Sequence, residues 1–131
     1  MMFEKDMQFQ QVYVVDTAVY KGFIQVFNDQ NPLHTNEQFA AAKGFSSCVM
    51  HGNILNGFLS HFIGECLPTK DVIIHAQNIQ FSKPVYLNDI LTLQVTVEDV
   101  FESVQTVEFK FNFQNQAAIK VAKGKISIGL I

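Results

Sequence analysis

The chain has 131 residues, 48% of them hydrophobic and 16% charged, enough to close one sizeable core and hardly two. Nine Lys+Arg against twelve Asp+Glu leave a formal charge of -3, and without clustered cations to neutralise phosphates the sequence argues against nucleic-acid binding. Glu4, Lys5 and Asp6 break the first ten residues before any signal-peptide core can form, and no apolar run approaches the ~20 residues of a membrane span, so a soluble, cytoplasmic protein with a single domain over 1–131 is expected.

Residues 8–15 alternate and carry β-branched and aromatic side chains, which predicts a first strand. Asp16-Thr17 then offers an N-cap for a helix reaching Phe27, weakened but not ended by Gly22. At Asn31-Pro32 the chain must turn, because proline lacks an N–H and pushes the residue before it toward extended backbone. Thr35 and Gln38 read as the capping box of a short helix through Ala40, Ala41 and Ala42, with Gly44 as its terminator. Between 51 and 68, Ile54, Leu55, Phe58, Leu59, Phe62, Ile63 and Cys66 recur at three- and four-residue steps, the signature of a helix that belongs inside something. The wrapping is predicted by strands at Val72–Phe81, Ile90–Phe101, 104–113 and 117–128, with the QNQ of 114–116 as a hairpin turn. In the third of these, Val107, Phe109, Phe111 and Phe113 alternate with Thr106, Glu108, Lys110 and Asn112, a half-buried antiparallel pattern. The fold class expected is α+β: a curved antiparallel sheet wrapped around a central, mostly apolar helix.

Chemistry concentrates in Asp29-Gln30-Asn31-Pro32-Leu33-His34. A bend there can bring the Asp29 carboxylate and the His34 imidazole to one point, where together they hold a water, take one of its protons and deliver another. The competing reading is a well-made turn in which Asp29 caps, Asn31 makes an Asx turn and His34 starts the next helix. His51-Gly52 opens the buried helix, where unpaired backbone N–H groups and a partial positive charge face outward. A glycine at that place lets a ligand carbonyl approach, and one well-placed donor is worth roughly 3 kcal/mol to an enolate oxygen.

Other titratable residues read more plainly. Cys48 and Cys66 have no metal-ligand spacing and are taken as reduced core thiols. Four scattered histidines make no zinc site, and His75, between apolar neighbours, reads as packing on a strand. Glu65 and His61 lie on the buried helix, where a thioesterase could place a carboxylate; Lys83 reads as a solvated lysine before a strand. The basic residues are few and dispersed along the chain, and periodicity does not rank Phe39, Phe45, Phe58 and Phe62 by which points inward.

Three segments in order, FNDQNPLHTNEQFA (27–40), GFSSCVMHGNILNGFLSHFIGECLP (44–68) and IQFSKPVYLNDILTLQVTVEDV (79–100), resemble the MaoC-like dehydratases, or (R)-specific enoyl-CoA hydratases, of the hotdog fold. The D-x-N-P-L-H motif followed by H-G carries the resemblance. It implies Asp29 and His34 as the catalytic pair, the Gly52 N–H as oxyanion hole, and Asn31, His51 and Phe45 as turn-shaping or substrate-binding residues. The implied reaction is reversible syn hydration of a trans-2-enoyl thioester, carried on coenzyme A or acyl carrier protein, to the (R)-3-hydroxyacyl thioester. The resemblance further implies no metal or other cofactor, and a homodimer that completes the site at its interface. The chain departs from the pattern at Asn28, Asn53 and Gly57, which keeps two other readings in view: an acyl-thioester binding or scaffold subunit with little turnover, and a hotdog thioesterase.

Overall fold

Strand β1 (Gln8–Val14) leads into helix α1 (Thr17–Phe27), followed by α2 (Pro32–Thr35), α3 (Glu37–Ala42) and α4 (Asn53–His61), and then by strands β2 (Val72–Phe81), β3 (Ile90–Phe101), β4 (Thr106–Gln114) and β5 (Lys120–Leu130). The computed structural model describes residues 1–131. The strands form one five-stranded sheet in the order β1-β3-β4-β5-β2, and every neighbouring pair is antiparallel. Three consecutive strands thus make the middle of the sheet by hairpin connections, while β1 and β2 arrive from either side of the helical segment.

Alternation decides what the sheet covers. Leu91, Leu93, Val95 and Val97 of β3 and Val107, Phe109, Phe111 and Phe113 of β4 are buried on one face, against Ile54, Leu55 and Leu59 of α4 and the following Phe62 and Ile63. Each such side chain contributes about 1.5–3 kcal/mol when withdrawn from water. Phe3 and Phe9 extend this core from the N-terminal side, with Phe3 meeting Phe109 edge-on at 5.8 Å and Phe9 meeting Phe62 at 5.9 Å.

Several expectations shift at element ends, each for a local reason. The α-helix expected over 51–68 stops at His61 and continues as one π turn, Phe62–Cys66. Leu67 is extended, at φ -76 and ψ 159, as the residue preceding Pro68 must be. Nor is α4 apolar on most faces: Asn53, Gly57, Ser60 and His61 are exposed. The chain after Asn31 forms the short helix α2 rather than a bare turn, with Pro32 at its first position. Since Thr35 then has helical backbone, it cannot cap α3; Asn36 does, accepting from the Phe39 N–H at 2.9 Å, and Thr35 Oγ1 instead donates within the bend. A 3-10 turn at Glu102–Val104, with Gln105 at φ 51, delays β4 to Thr106. Asn115 accepts from the N–H groups of Ala117 and Ile119, so the β4–β5 loop is longer than QNQ and β5 starts at Lys120 rather than at 117. Cys48 is buried in the core, whereas Cys66 is only partly buried, packed against the core's edge and 3.8 Å from His61 Nδ1. Gly44, at φ 92, terminates α3 as its position suggested.

Candidate active site

The segment joining α1 to α4 builds a cleft from its own hydrogen bonds. Asn28 ends α1 in the left-handed region at φ 55, its N–H returning to Ile24 O. Asp29 Oδ1 then accepts from the Asn31 N–H at 3.2 Å, and Asn31 Oδ1 accepts from the Leu33 N–H at 2.9 Å. Two successive Asx bonds reverse the chain between Asp29 and Leu33, and Pro32 enters α2 where no donor is needed. The Asx turn of the turn reading is therefore present, but Asn31 rather than Asp29 is the helix cap and Pro32 rather than His34 starts α2; the bend sets side-chain atoms of Asp29 and His34 within 4.8 Å of each other.

His34 is tied twice. The Tyr20 hydroxyl donates to its backbone carbonyl at 2.5 Å, and its Nδ1 lies 2.6 Å from Val49 O. A carbonyl can only accept, so Nδ1 is the donor, and Nε2 is the ring nitrogen without a protein partner. His51 is 2% exposed. Its Nε2 donates to Asp29 O at 2.8 Å, and its ring stacks on that of His34 at 4.0 Å with planes 30° apart. Phe23 closes the other side of His51 at 4.7 Å, and His51 Nδ1 is buried without a partner.

One donor or acceptor atom from each of Asp29, His34 and His51 lies within 4.8 Å of the others. Two groups at that spacing can both reach one water at about 2.8 Å. The same three atoms are close enough to be offered to a metal ion, but His34 Nδ1 and His51 Nε2 are already engaged by the Val49 and Asp29 carbonyls, which leaves each ring a single nitrogen to offer. Beside the pair, Gly52 precedes the first residue of α4 with its N–H unused by any protein acceptor. The Phe81 ring covers it so closely that a Cβ at Gly52 would lie 3.0 Å from the ring.

These residues surround a cleft of about 500 Å³ whose lining includes Asp29, His34, Phe45, His51, Gly52 and Phe81. A second hollow of about 790 Å³ runs between α1 and α4, bounded by Val19, Gly22, Val26, Ile54, Gly57 and Phe58, and the two share Phe23, Asp29 and Asn53. Asn31 lines neither; it shapes the bend, capping α2 through its side chain and bonding to Asp29 through its N–H.

The remaining candidates lie elsewhere. Glu65 is exposed and pairs with Lys70 at 2.6 Å, which holds its carboxyl below the usual range. His61 Nδ1 meets the Tyr13 hydroxyl at 2.9 Å on the exposed side of α4. His75 is exposed at the irregularity of β2, its ring 2.5 Å from where a Cβ on Gly129 would stand. Lys83 is at the rim of the cleft. Of the four phenylalanines, Phe62 is core, Phe45 lines the cleft and Phe58 the hollow, while Phe39 is 37% exposed beneath Lys43. Asn28 serves as the cap of α1, and Asn53 accepts from Asn56 Nδ2 at 2.7 Å. Sequence reasoning missed Tyr20, Phe23, Phe81 and the Val49 carbonyl. Tyr20 and Phe23 share a face of α1 three residues apart, a signal that says "packed" without saying against what; a main-chain carbonyl leaves no signal at all.

The MaoC-like domain family matches residues 2–117. The chain belongs to that family. Among relatives of this MaoC-like protein, the "3-hydroxybutyryl-CoA dehydratase" of Methylorubrum extorquens is 33% identical over 79 residues, 60% of this chain and 50% of the relative. The "(R)-specific enoyl-CoA hydratase" of Aeromonas caviae is 36% identical over 80 residues, 61% of this chain and 60% of the relative. The chain thus spans about half to three fifths of these relatives' length. A solved structure titled "(R)-hydratase from A. caviae involved in PHA biosynthesis" superposes with a TM-score of 0.90 at 25% identity, covering 99% of this chain and 98% of the other. The MaoC-like hotdog architecture, α+β with a five-stranded antiparallel sheet and a central helix, is common to both.

Proposed function

We propose that this MaoC-like protein is a single-domain hydro-lyase that adds water reversibly to trans-2-enoyl thioesters, giving (R)-3-hydroxyacyl thioesters. The observation that carries the reading is the convergence of Asp29 and His34 on one point of a cleft wall, beside the unused N–H of Gly52. His34 Nε2 takes a proton from the shared water as its oxygen bonds to C3. The electrons of the C2–C3 double bond move onto the thioester, whose oxygen, now an enolate, is held by the Gly52 N–H. That proton is handed through the Asp29–His34 pair to C2 on the same side, which completes the addition and returns both groups to their starting state. Because one water held on one face supplies both the hydroxyl and the proton, the addition is syn.

The pantetheine arm of coenzyme A or acyl carrier protein presents the thioester at the cleft, and the acyl tail runs into the α1–α4 hollow, whose outer wall, Val26 and Phe27, is 72% and 67% exposed. No metal or other cofactor takes part, because the thioester itself acidifies C2. The protein acts as a homodimer. Supporting this, β2 is bonded only to β5, and Ile73, Ile74 and Phe81 along it are 50%, 36% and 51% exposed. No helix is long and apolar enough to cross a membrane.

Loss of enoyl absorbance on mixing purified protein with crotonyl-CoA, in the presence of EDTA, tests the proposal. Turnover that survives chelation is the expected result. Binding without turnover at any chain length would replace the hydratase with the scaffold reading, and release of free thiol would replace it with the thioesterase.

A further inference from the structure

Folding gathers lysines that the sequence scatters. Lys110 on β4 and Lys120, Lys123 and Lys125 on β5 are exposed around one shallow depression of about 580 Å³ on the outer face of the sheet, floored by amides such as Asn78, Gln80, Gln94 and Asn112. They are four of the chain's nine basic residues, in a molecule of net charge -3. Register makes the grouping costly: Lys110 stands directly opposite Lys125, a like-charge cross-strand pair that weakens a sheet. Acidic neighbours on this face are gathered at its far end: Glu98, 3.1 Å from Lys125, Glu108 opposite Ser127, and Asp99 opposite Glu108. Lys110, Lys120 and Lys123 have no carboxylate partner.

The strip starts at the cleft. Ser82, which lines the cleft next to Lys83, donates from Oγ to Lys120 O at 3.2 Å, and its N–H bonds to Val121 O. From Lys120 the strip follows β5 for five residues, about 16 Å at strand rise. All nine basic residues are lysines. No arginine fork, helix N-terminus or nest of N–H groups is present there to seat a phosphate. Mobile point charges spread along an open face instead suit an extended acidic surface, which they steer and orient.

We propose that this strip docks an acidic protein that carries the acyl thioester on a pantetheine arm, with the arm passing over Ser82 into the cleft. The inference rests on the hydratase reading for its purpose, and on charge and continuity for its place.

The test compares K110E/K123E/K125E with a control of equal charge change, K5E/K21E/K43E, on crotonyl-loaded acyl carrier protein, crotonyl-CoA and crotonyl-pantetheine. Binding of labelled acyl carrier protein is read by fluorescence anisotropy at several salt concentrations. The strip variant should weaken carrier-protein binding and raise KM for its thioester at least about tenfold. Its kcat and its action on crotonyl-pantetheine should match the parent, and the control should stay within about twofold. Unchanged carrier-protein binding in the strip variant, an equal loss in the control, or an equal rise in KM for crotonyl-CoA would each overturn the inference. Lysine-dependent binding without hydration of any thioester would uphold the docking surface and remove the hydratase.

Discussion

At the scale of single residues, Asp29 and His34 carry the most direct expectation. Asp29→Asn and His34→Ala should each lower kcat on crotonyl-CoA by about 10²–10⁴-fold, the range of a lost general acid or base. Melting temperature should stay near the parent's, because Asp29 is exposed and neither side chain belongs to the core cluster. Parent-like hydration by either variant would remove that residue from the chemistry. His51 acts one step back: its ring bond to Asp29 O and its stack on His34 hold the two groups in register. His51→Phe retains a flat ring but loses the bond. We expect kcat to fall about tenfold with KM nearly unchanged, since misplacement of a reacting group costs rate before it costs binding. A matched fall in thermal stability and no kinetic change would make His51 a core residue only. The hexapeptide announced Asp29 and His34 because a proline bend and two Asx residues are readable in one dimension. The partners that fix them were illegible, since the Val49 carbonyl belongs to no residue type and Phe81 comes from a strand about fifty positions away.

Among the elements, α1 and α4 face each other across the larger hollow, and each exposes an interior glycine to it. A Cβ added at Gly22 or Gly57 would meet nothing within 4 Å, so packing does not require either glycine. Each costs its helix about 0.5–1 kcal/mol relative to alanine. Gly22→Ala should therefore raise the melting temperature, read by calorimetry. Gly57→Leu should fill part of the hollow, leaving crotonyl-CoA turnover nearly intact and lowering kcat/KM for octenoyl-CoA about tenfold or more. Equal effects on both chain lengths would show that the tail lies elsewhere. Element type was largely legible: alternation marked β3 and β4, and three- and four-residue steps marked α4. Ends were not, because they are set by Thr35 being taken into α2, by Leu67 preceding Pro68 and by Asn115 bonding around its loop. The four lysines of the outer face show the same limit in reverse, for it is register that makes neighbours of Lys110 and Lys125.

For the molecule as a whole, burial sets a direction for its response to alkali. Withdrawal from water pushes the Tyr13 phenol above its ordinary 10.0, helped by Cys66 beside it, and does the same to Tyr20. It also pushes the Cys48 thiol above its ordinary 9.0, with Glu37 adding to the shift. In each case the folded chain keeps a proton that the unfolded chain gives up, so the stabilisation is complete below the unfolded value and fades as pH climbs past it. Melting temperature should hold to about pH 8 and fall between roughly pH 9 and 11, and Tyr13→Phe should make that fall shallower. A flat profile over this interval would contradict the burial of these groups. The meeting of the two hollows at Phe23, Asp29 and Asn53 has a consequence of another kind. On the hydratase reading, an acyl thioester long enough to occupy both passes the Asp29 carboxylate where they join, which places its reactive carbons at that junction. Such a shape selects for where along a chain the unsaturation lies, and a double bond moved one position outward would be bound yet left untouched.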